Sequence, residues 1–533
     1  MPVPSVITDL STTAASNYPA GTDSPSTLDD VQRAHASFIR QLYNGNTTVY
    51  TPAGTGAVAK TVQTKLRESV SVFDFMTAAQ VADVQARTLS TDVTAAIQDA
   101  LTYAAANYID LHFPSGNYRV TSNISMPLTS NYQRSYRLTG DGKDYGTIIT
   151  LDGAAVTTGF SFTSSGVGVY QFWGEISGIK FTCVNSAARA VTFNYAHAPY
   201  IIGCAFTGAA GTALLLQNCN QPVVEQCFFI NNGSASLAQI QFDLCTAVSW
   251  RDNYLATGNV SAIAGLDIDR TNTGLFSGGA IESTGIQIRV CAATDAVTGC
   301  QDLTFLGMNL ENSSTCYFKI GYGWTGAGQG VSNIVVKGCR GYVSGSTTVA
   351  IGVDLKSCTS VEITQSQFPL SAAADCVFNL NAFTNTAIYI GQQRAQFGNA
   401  YPWVKQNSAQ VLLASPLYDW NSAYPFDQIV FGSISTTTAT LNNQIFAAQG
   451  GFYNVINLTN AAPQTINRTI AIPDVTGLRL TLIATDGNTT IAHLGGGGTG
   501  QFRNKSGANI TLSANQCLEY RYNGNDGNWT QVA

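Results

Sequence analysis

Charge is scarce in this sequence: Asp, Glu, Lys and Arg make up 11% of its 533 residues, far below the usual quarter. The formal charge is −6 and no basic run occurs. A nucleic-acid partner is therefore not expected, because backbone binding needs clustered Lys and Arg. Histidine is scarce too, with four residues in separate regions at 35, 112, 197 and 493. A Ser-His-Asp arrangement does not fit that spread, and no phosphate loop, nucleophile elbow or zinc helix motif is present. No apolar run approaches the ~18 residues of a membrane helix. The opening MPVPSVITDL has no basic segment followed by an apolar one, so no secretory signal is expected and synthesis in a cytoplasm is. The twelve cysteines show no CxxC spacing. They are expected as reduced, buried thiols, with no metal and no cofactor.

What is present is a core-forming fraction of 45% hydrophobic residues, 50 glycines, and abundant Asn, Thr and Ser. That mixture suits many short strands joined by tight polar turns, in a chain long enough for two to four domains. Residues 1–26 are rich in Pro, Ser, Thr and Gly and read as an extended arm. A helix is expected next, from Thr27 to about Gly45, with Leu28, Val31, His35, Phe38, Ile39 and Leu42 on one face. That face buries either against the next domain or, since no other helical pattern shows before residue 90, against other copies of the chain. A second helix is expected over 91–106, capped by Thr91 or Asp92, with Ile97 and Leu101 at helical spacing.

From about residue 109 the apolar period becomes two and a repeat emerges. The heptads EISGIKF, YIIGCAF, VVEQCFF and VSWRDNY begin at Glu175, Tyr200, Val223 and Val248, so at spacings of 25, 23 and 25 residues. Later partners begin at Thr304, Ile334 and Val361. A second short strand precedes most of them, as in VTFNY, ALLLQ and IQFDL. Short strands repeating every 23–30 residues predict a right-handed parallel β-helix, whose stacked coils share one core. A sandwich or propeller is the rival, disfavoured because no blade-length repeat appears. The alignment puts Cys204 with Cys227, and Phe206 with Phe229 and Tyr254, as stacks inside the coil. Between 248 and 304 the spacing jumps to 56 residues, room for an extra coil or an inserted loop. The repeat fades near 400–427. The last hundred residues hold Thr- and Asn-rich strands split by DGN, GGGG, KSGAN and NGNDGN, which predicts a C-terminal antiparallel β domain.

Two adjoining stretches carry a resemblance. The run SVSVFDFM, then TDVTAAIQDAL, then LHFPSGNYRV resembles the opening of the pectate-lyase-like β-helix family of phage tailspikes and capsule depolymerases. The matching residues are Asp92, Ala95, Ala96, Ile97, Gln98 and Ala100, then Phe113, Pro114, Gly116 and Tyr118. The family's usual GDGxTDD turn is replaced by DVQARTLSTD at 83–92. The resemblance implies a homotrimeric tail protein of a virion. Its N-terminal arm (1–68) would dock to the tail, baseplate or an adaptor protein. Its β-helix (69–429) would engage a host cell-surface polysaccharide, and its C-terminal domain (430–533) would trimerise or bind glycan. No membrane insertion is implied.

The expected activity is cleavage of that polysaccharide by an endo-glycosidase, with a non-enzymatic receptor-binding spike as the alternative and a polysaccharide lyase ranked below. Glycoside hydrolysis needs two carboxylates. Acidic residues are few, so Asp267, Asp269, Glu282 and Glu311, in or just after the irregular stretch, are the catalytic candidates, with Glu225 and Asp252 behind them. Arg270 accompanies the aspartates. Aromatic rings stack on the apolar faces of sugars, which nominates Tyr170, Phe172 and Trp173, Trp250 and Tyr254, and Tyr322 and Trp324.

Overall fold

The computed structural model describes residues 31–37, 49–66, 68–126, 137–164, 174–184, 189–256, 262–282, 285–291, 299–323, 330–343, 349 and 351–369. Further along it describes 376–380, 386–390, 404–406, 428–434, 440–441, 453–458, 463–469, 479–484, 487–494, 500–523 and 525–532.

The repeat folds as a parallel β-helix. Three parallel sheets of twelve, nine and eleven strands run side by side, and each coil adds one strand to each. Sheet one starts at Ser69–Ser71 and sheet three ends at Val404–Gln406. Alternation within each strand sends one column of side chains inward. In sheet two, Tyr118, Ile149, Phe181, Phe206, Phe229, Leu255, Ile281 and Leu310 lie in register and fully buried. Phe181 stacks on Phe206, and Phe206 on Phe229, with centroids 5.3 and 4.8 Å apart.

The corner between sheets one and two has its own ladder. Gly178, Gly203, Gln226, Asp252, Gly278, Gly307, Gly338 and Gln365 each hold φ between 50° and 66°. One left-handed residue per coil gives the sharp turn, which glycine adopts without strain. The residue after it points inward, as do Cys204, Cys227, Met308 and Cys339. Asn253 and Ser366 are the polar exceptions, and both are bonded: Asn253 Oδ1 accepts from Cys227 N at 2.8 Å and its Nδ2 donates to Val224 O at 2.9 Å, while Ser366 Oγ accepts from Cys339 N at 3.2 Å and donates to Thr364 O at 3.0 Å.

The sequence alignment of the fourth heptad slips by one residue. Val223 pairs with Ser249, not Val248, and Phe229 pairs with Leu255. Tyr254 therefore pairs with Phe228 on the outer face, because a one-residue shift reverses every side chain in a strand. Glu225 points outward too, accepting the Tyr200 hydroxyl at 3.0 Å. The 56-residue interval is an extra coil: Asn272–Ser277, Ala280–Glu282 and Ile286–Val290 join the three sheets in turn.

The helix Thr94–Asn107 closes the first coil, burying Ile97, Ala100, Leu101 and Ala104. Gln98 explains its place in the motif. Its side-chain amide accepts from Ser125 N at 2.9 Å and donates to Ser125 O at 2.7 Å, so it mimics a neighbouring strand and blunts the open edge of sheet three. Asp92 accepts from Thr94 N at 3.0 Å ahead of the helix. Another helix, Ala78–Ala86, was not expected. It is set by a Thr77/Gln80 capping box and buries Val84, which meets Gly116 so closely that a Cβ there would lie 2.4 Å from Val84 Cγ1. Its weak apolar stripe hid it. Helical backbone is also present over 31–37, with Val31 buried.

The C-terminal residues form further sheets. The antiparallel part runs Arg479–Ala484, Cys517–Asn523, Asn528–Gln531. Tyr453–Leu458 and Gln428–Ile434 extend the same sheet in parallel. Trp529 and Tyr520 fill its core.

Candidate functional site

On the outer face of sheet two, register brings together residues from seven coils. One outward column reads Lys180, Ala205, Phe228, Tyr254, Ala280, Asn309, Arg340. The next reads Thr182, Thr207, Ile230, Ala256, Glu282, Glu311, Tyr342. Glu282 and Glu311 are thus direct neighbours in adjacent coils, ~4.8 Å apart at the backbone. Both are half-buried.

Their surroundings separate their chemistry. The Tyr254 hydroxyl donates to Glu282 Oε2 at 2.8 Å. Burial and the neighbouring charge of Glu282 push the Glu311 carboxyl above its ordinary value. Burial and the two glutamates push the Tyr254 phenol up to about 12, so it stays a hydrogen-bond donor. Aromatic surface flanks the pair: Phe228 is 39% exposed and Tyr342 57% exposed. The Phe228 and Tyr254 rings lie 5.7 Å apart. Lys143, from the loop before Thr147–Leu151, holds its ammonium 4.7 Å from the Phe228 ring centre.

The two aspartates sit elsewhere, on the outer face of sheet three. Asp267 and Asp269 are 2% and 3% exposed. Arg289, one coil on, grips Asp267 with two hydrogen bonds of 2.9 and 2.6 Å. Arg270 grips Asp243 in the same way, at 2.8 and 2.7 Å. Burial pushes Asp267 up to about 6 against the pull of Arg289, with Asp269 and Asp243 adding to the rise. Burial acts to lower the Arg289 guanidinium, but Asp267, with Asp269 adding, raises it on balance. Buried and clasped, these carboxylates form an ion-pair network that fixes the outer wall. Tyr322 lies on this side too, its hydroxyl 2.5 Å from Asp354 Oδ1 and its ring 4.3 Å from Lys319 Nζ.

Trp250 is corrected by the structure. It is fully buried, facing Phe229 and edge-on to Phe242, out of a ligand's reach. Trp173 and Trp324, with Tyr170 and Phe172, lie outside the described residues. Asp252 is exposed at the left-handed corner. Sequence reasoning missed Phe228, Tyr342, Asp243 and Arg289, since membership of one outer column depends on register across coils. Among the described residues no group of His, Cys, Asp and Glu is arranged to hold a metal ion, and no helix is long and apolar enough to cross a membrane.

No protein-family description and no curated protein matches this sequence. Solved structures do match in fold. A double mutant of the tailspike protein of E. coli bacteriophage HK620 superposes with a TM-score of 0.54 at 13% identity, covering 91% of this chain and 98% of that one. A single mutant of the same tailspike, in complex with a pentasaccharide, gives 0.53 at 12% identity over 91% and 98%. PfbA, a surface adhesin of Streptococcus pneumoniae, gives 0.40 at 12% identity over 87% and 98%, a score too low to argue from. The chain thus shares the parallel β-helix fold of that tailspike.

Proposed function

We propose that this chain is a tailspike of a bacterial virus that binds a host surface polysaccharide and hydrolyses it within the chain. The observation that carries the reading is the Glu282–Glu311 pair, adjacent in register and bordered by exposed rings on the solvent face of a long coil. Hydrolysis by two carboxylates requires one protonated and one ionised group. Glu311, with its raised pKa, is the acid that protonates the leaving glycosidic oxygen. Glu282, held by the Tyr254 hydroxyl, is the base or nucleophile. Phe228 and Tyr342 supply stacking faces for sugars on either side.

A lyase would need a base such as Tyr254. That phenol, pushed up to about 12 and already bonded to a carboxylate, keeps its proton, which favours hydrolysis. Asp267 and Asp269 support the wall, Arg270 and Tyr322 belong to that same wall, and the subunit assembles as a homotrimer. Residues 1–68 would attach it to the tail or to an adaptor, and residues 430–533 would hold the trimer or add glycan contacts.

The deciding experiment incubates the protein with surface polysaccharides from candidate host strains and follows chain length by size exclusion with mass spectrometry. Discrete saturated oligosaccharides are expected, lost by at least 100-fold in Glu282→Gln and Glu311→Gln while binding persists. An unsaturated terminal uronate would replace hydrolase by lyase. Tight binding with no shortening on any strain would leave a receptor-binding spike.

A further inference from the structure

The loop at 141–146, between the strands Arg137–Gly140 and Thr147–Leu151, is fastened at its base. Asp141 accepts from Ser115 N at 2.6 Å and faces His112 Nε2 at 3.1 Å. Gly142 N donates to Gly178 O at 3.0 Å. The Arg87 guanidinium donates to the carbonyls of Tyr145 and Gly146. From this anchored base Lys143 reaches a ring that lies three coils further along sheet two. In register Ile148 is followed by Lys180, Ala205 and Phe228. The side chain under the reach is small, Ala205, and the ammonium comes to rest 4.7 Å from the Phe228 centre. A contact chain then runs unbroken to the carboxylate pair: Phe228 to Tyr254 at 5.7 Å, Tyr254 to Glu282 at 2.8 Å, and Glu282 beside Glu311.

We infer that Lys143 and Phe228 form a subsite for a carboxylate-bearing sugar, about two coils (~10 Å) from the scissile bond, so that the substrate is an acidic polysaccharide. The inference rests on the glycan-binding reading above. A hydrolase for a neutral glycan has no need of an ammonium fixed over a stacking ring, where it covers part of the ring. A uronate or similar acidic sugar uses both groups: its ring face packs on Phe228 while its carboxylate meets Lys143. The column composition agrees. Glu282 and Glu311 are the only acids in the two outward columns of sheet two from Lys180 to Tyr342, whereas Lys180 and Arg340 sit at the two ends. In a chain of net charge −6, this face presents cations on both sides of the reaction centre. Asp144, exposed beside Lys143, is the one acid of the loop tip.

The test uses an array of purified bacterial surface polysaccharides, neutral and acidic, each acidic one also in carboxyl-reduced form. It is probed with Glu282→Gln/Glu311→Gln protein of the whole chain, with and without Lys143→Met, and with Lys65→Gln as a control outside the β-helix. The expected result is binding confined to acidic polymers, weakened about tenfold by carboxyl reduction and about tenfold by Lys143→Met. The two losses should not add, since each removes the same contact. Binding to neutral polymers, or indifference to carboxyl reduction, overturns the acidic subsite and leaves the glycan reading intact. Silence across the whole array, repeated with the wild-type chain, overturns both.

Discussion

Phe228 and Phe229 are neighbours in sequence with opposite fates, one a half-exposed ring on the outer face of sheet two and the other sealed in the core. The predictions at this scale turn on such single side chains. Tyr254→Phe removes the hydrogen bond to Glu282 and keeps the ring, so hydrolysis should fall about tenfold with polysaccharide affinity nearly unchanged; kcat and KM on a fluorescently end-labelled polymer check it. In the proposed hydrolysis Glu311 must be protonated to act, and its pKa is raised. Activity should therefore decline on the alkaline side as that proton leaves, and the limb should move to lower pH when Glu282→Gln removes the neighbouring charge, readable in residual turnover. The sign is reversed for the usual stabilising carboxylate in the case of Asp267. Its folded value of about 6 exceeds the unfolded ~3.9, so the folded state holds the proton longer. Its contribution to stability is full below about pH 4 and is lost as pH rises to about 6. Denaturant midpoints between pH 4 and 7 should show that loss in the wild type and not in Asp267→Asn. Removing Arg289 instead strands a buried carboxylate and should cost about 3–5 kcal/mol near neutral pH.

At the scale of the element, the coil depends on stacks and corners. Phe206→Ala leaves a hole between two stacked rings that neighbouring coils cannot close, and should cost about 3–5 kcal/mol by denaturant unfolding. The corner ladder tolerates Gln226 and Asp252 as well as glycine, so polar side chains survive there; Gly178 is stricter. A Cβ at Gly178 would lie 2.6 Å from the backbone oxygen of Gly140 in the coil before. Gly178→Val should therefore destabilise more than Gly203→Val, where nothing lies within 4 Å, although both meet the backbone cost of a β-branched residue at positive φ. Comparing the two thermal midpoints separates the contact from the strain. The spacing of Glu282 and Glu311 belongs to this scale too. Side chains projecting in parallel from adjacent strands suit the ~5–5.5 Å of a retaining hydrolase. The product anomer, read by NMR in the first minutes of reaction, should match the substrate linkage; inversion would show that the pair opens to admit water.

For the whole molecule, the single coil already closes one of its ends with the helix Thr94–Asn107 and the edge-mimicking Gln98. The reading as a tail protein expects three such chains held together strongly enough to migrate as a trimer on an unheated detergent gel, and truncation after residue 429 tests whether the last hundred residues hold them. Much of this architecture was legible beforehand. The heptads showed the coils because a solenoid repeats its inward positions, and the opening motif showed the closing helix. The candidate site was only half legible. Glu282 and Glu311 stood out because acids are rare, but their pairing did not, nor did the separation of Asp267 and Asp269 onto another sheet. Trp250 read as a ligand contact and is a core ring. The missed helix Ala78–Ala86 had caps without a clear apolar face.

The sequence by itself determined the solenoid, since a period of 23–30 residues with inward apolar positions leaves each coil unable to bury its face except by stacking. Tertiary structure decided which side chains meet on the outside. That depends on register between strands more than twenty residues apart, where one extra residue in a turn reverses in and out. Tyr254 came to lie outside by that single step, and with it the partner of Glu282.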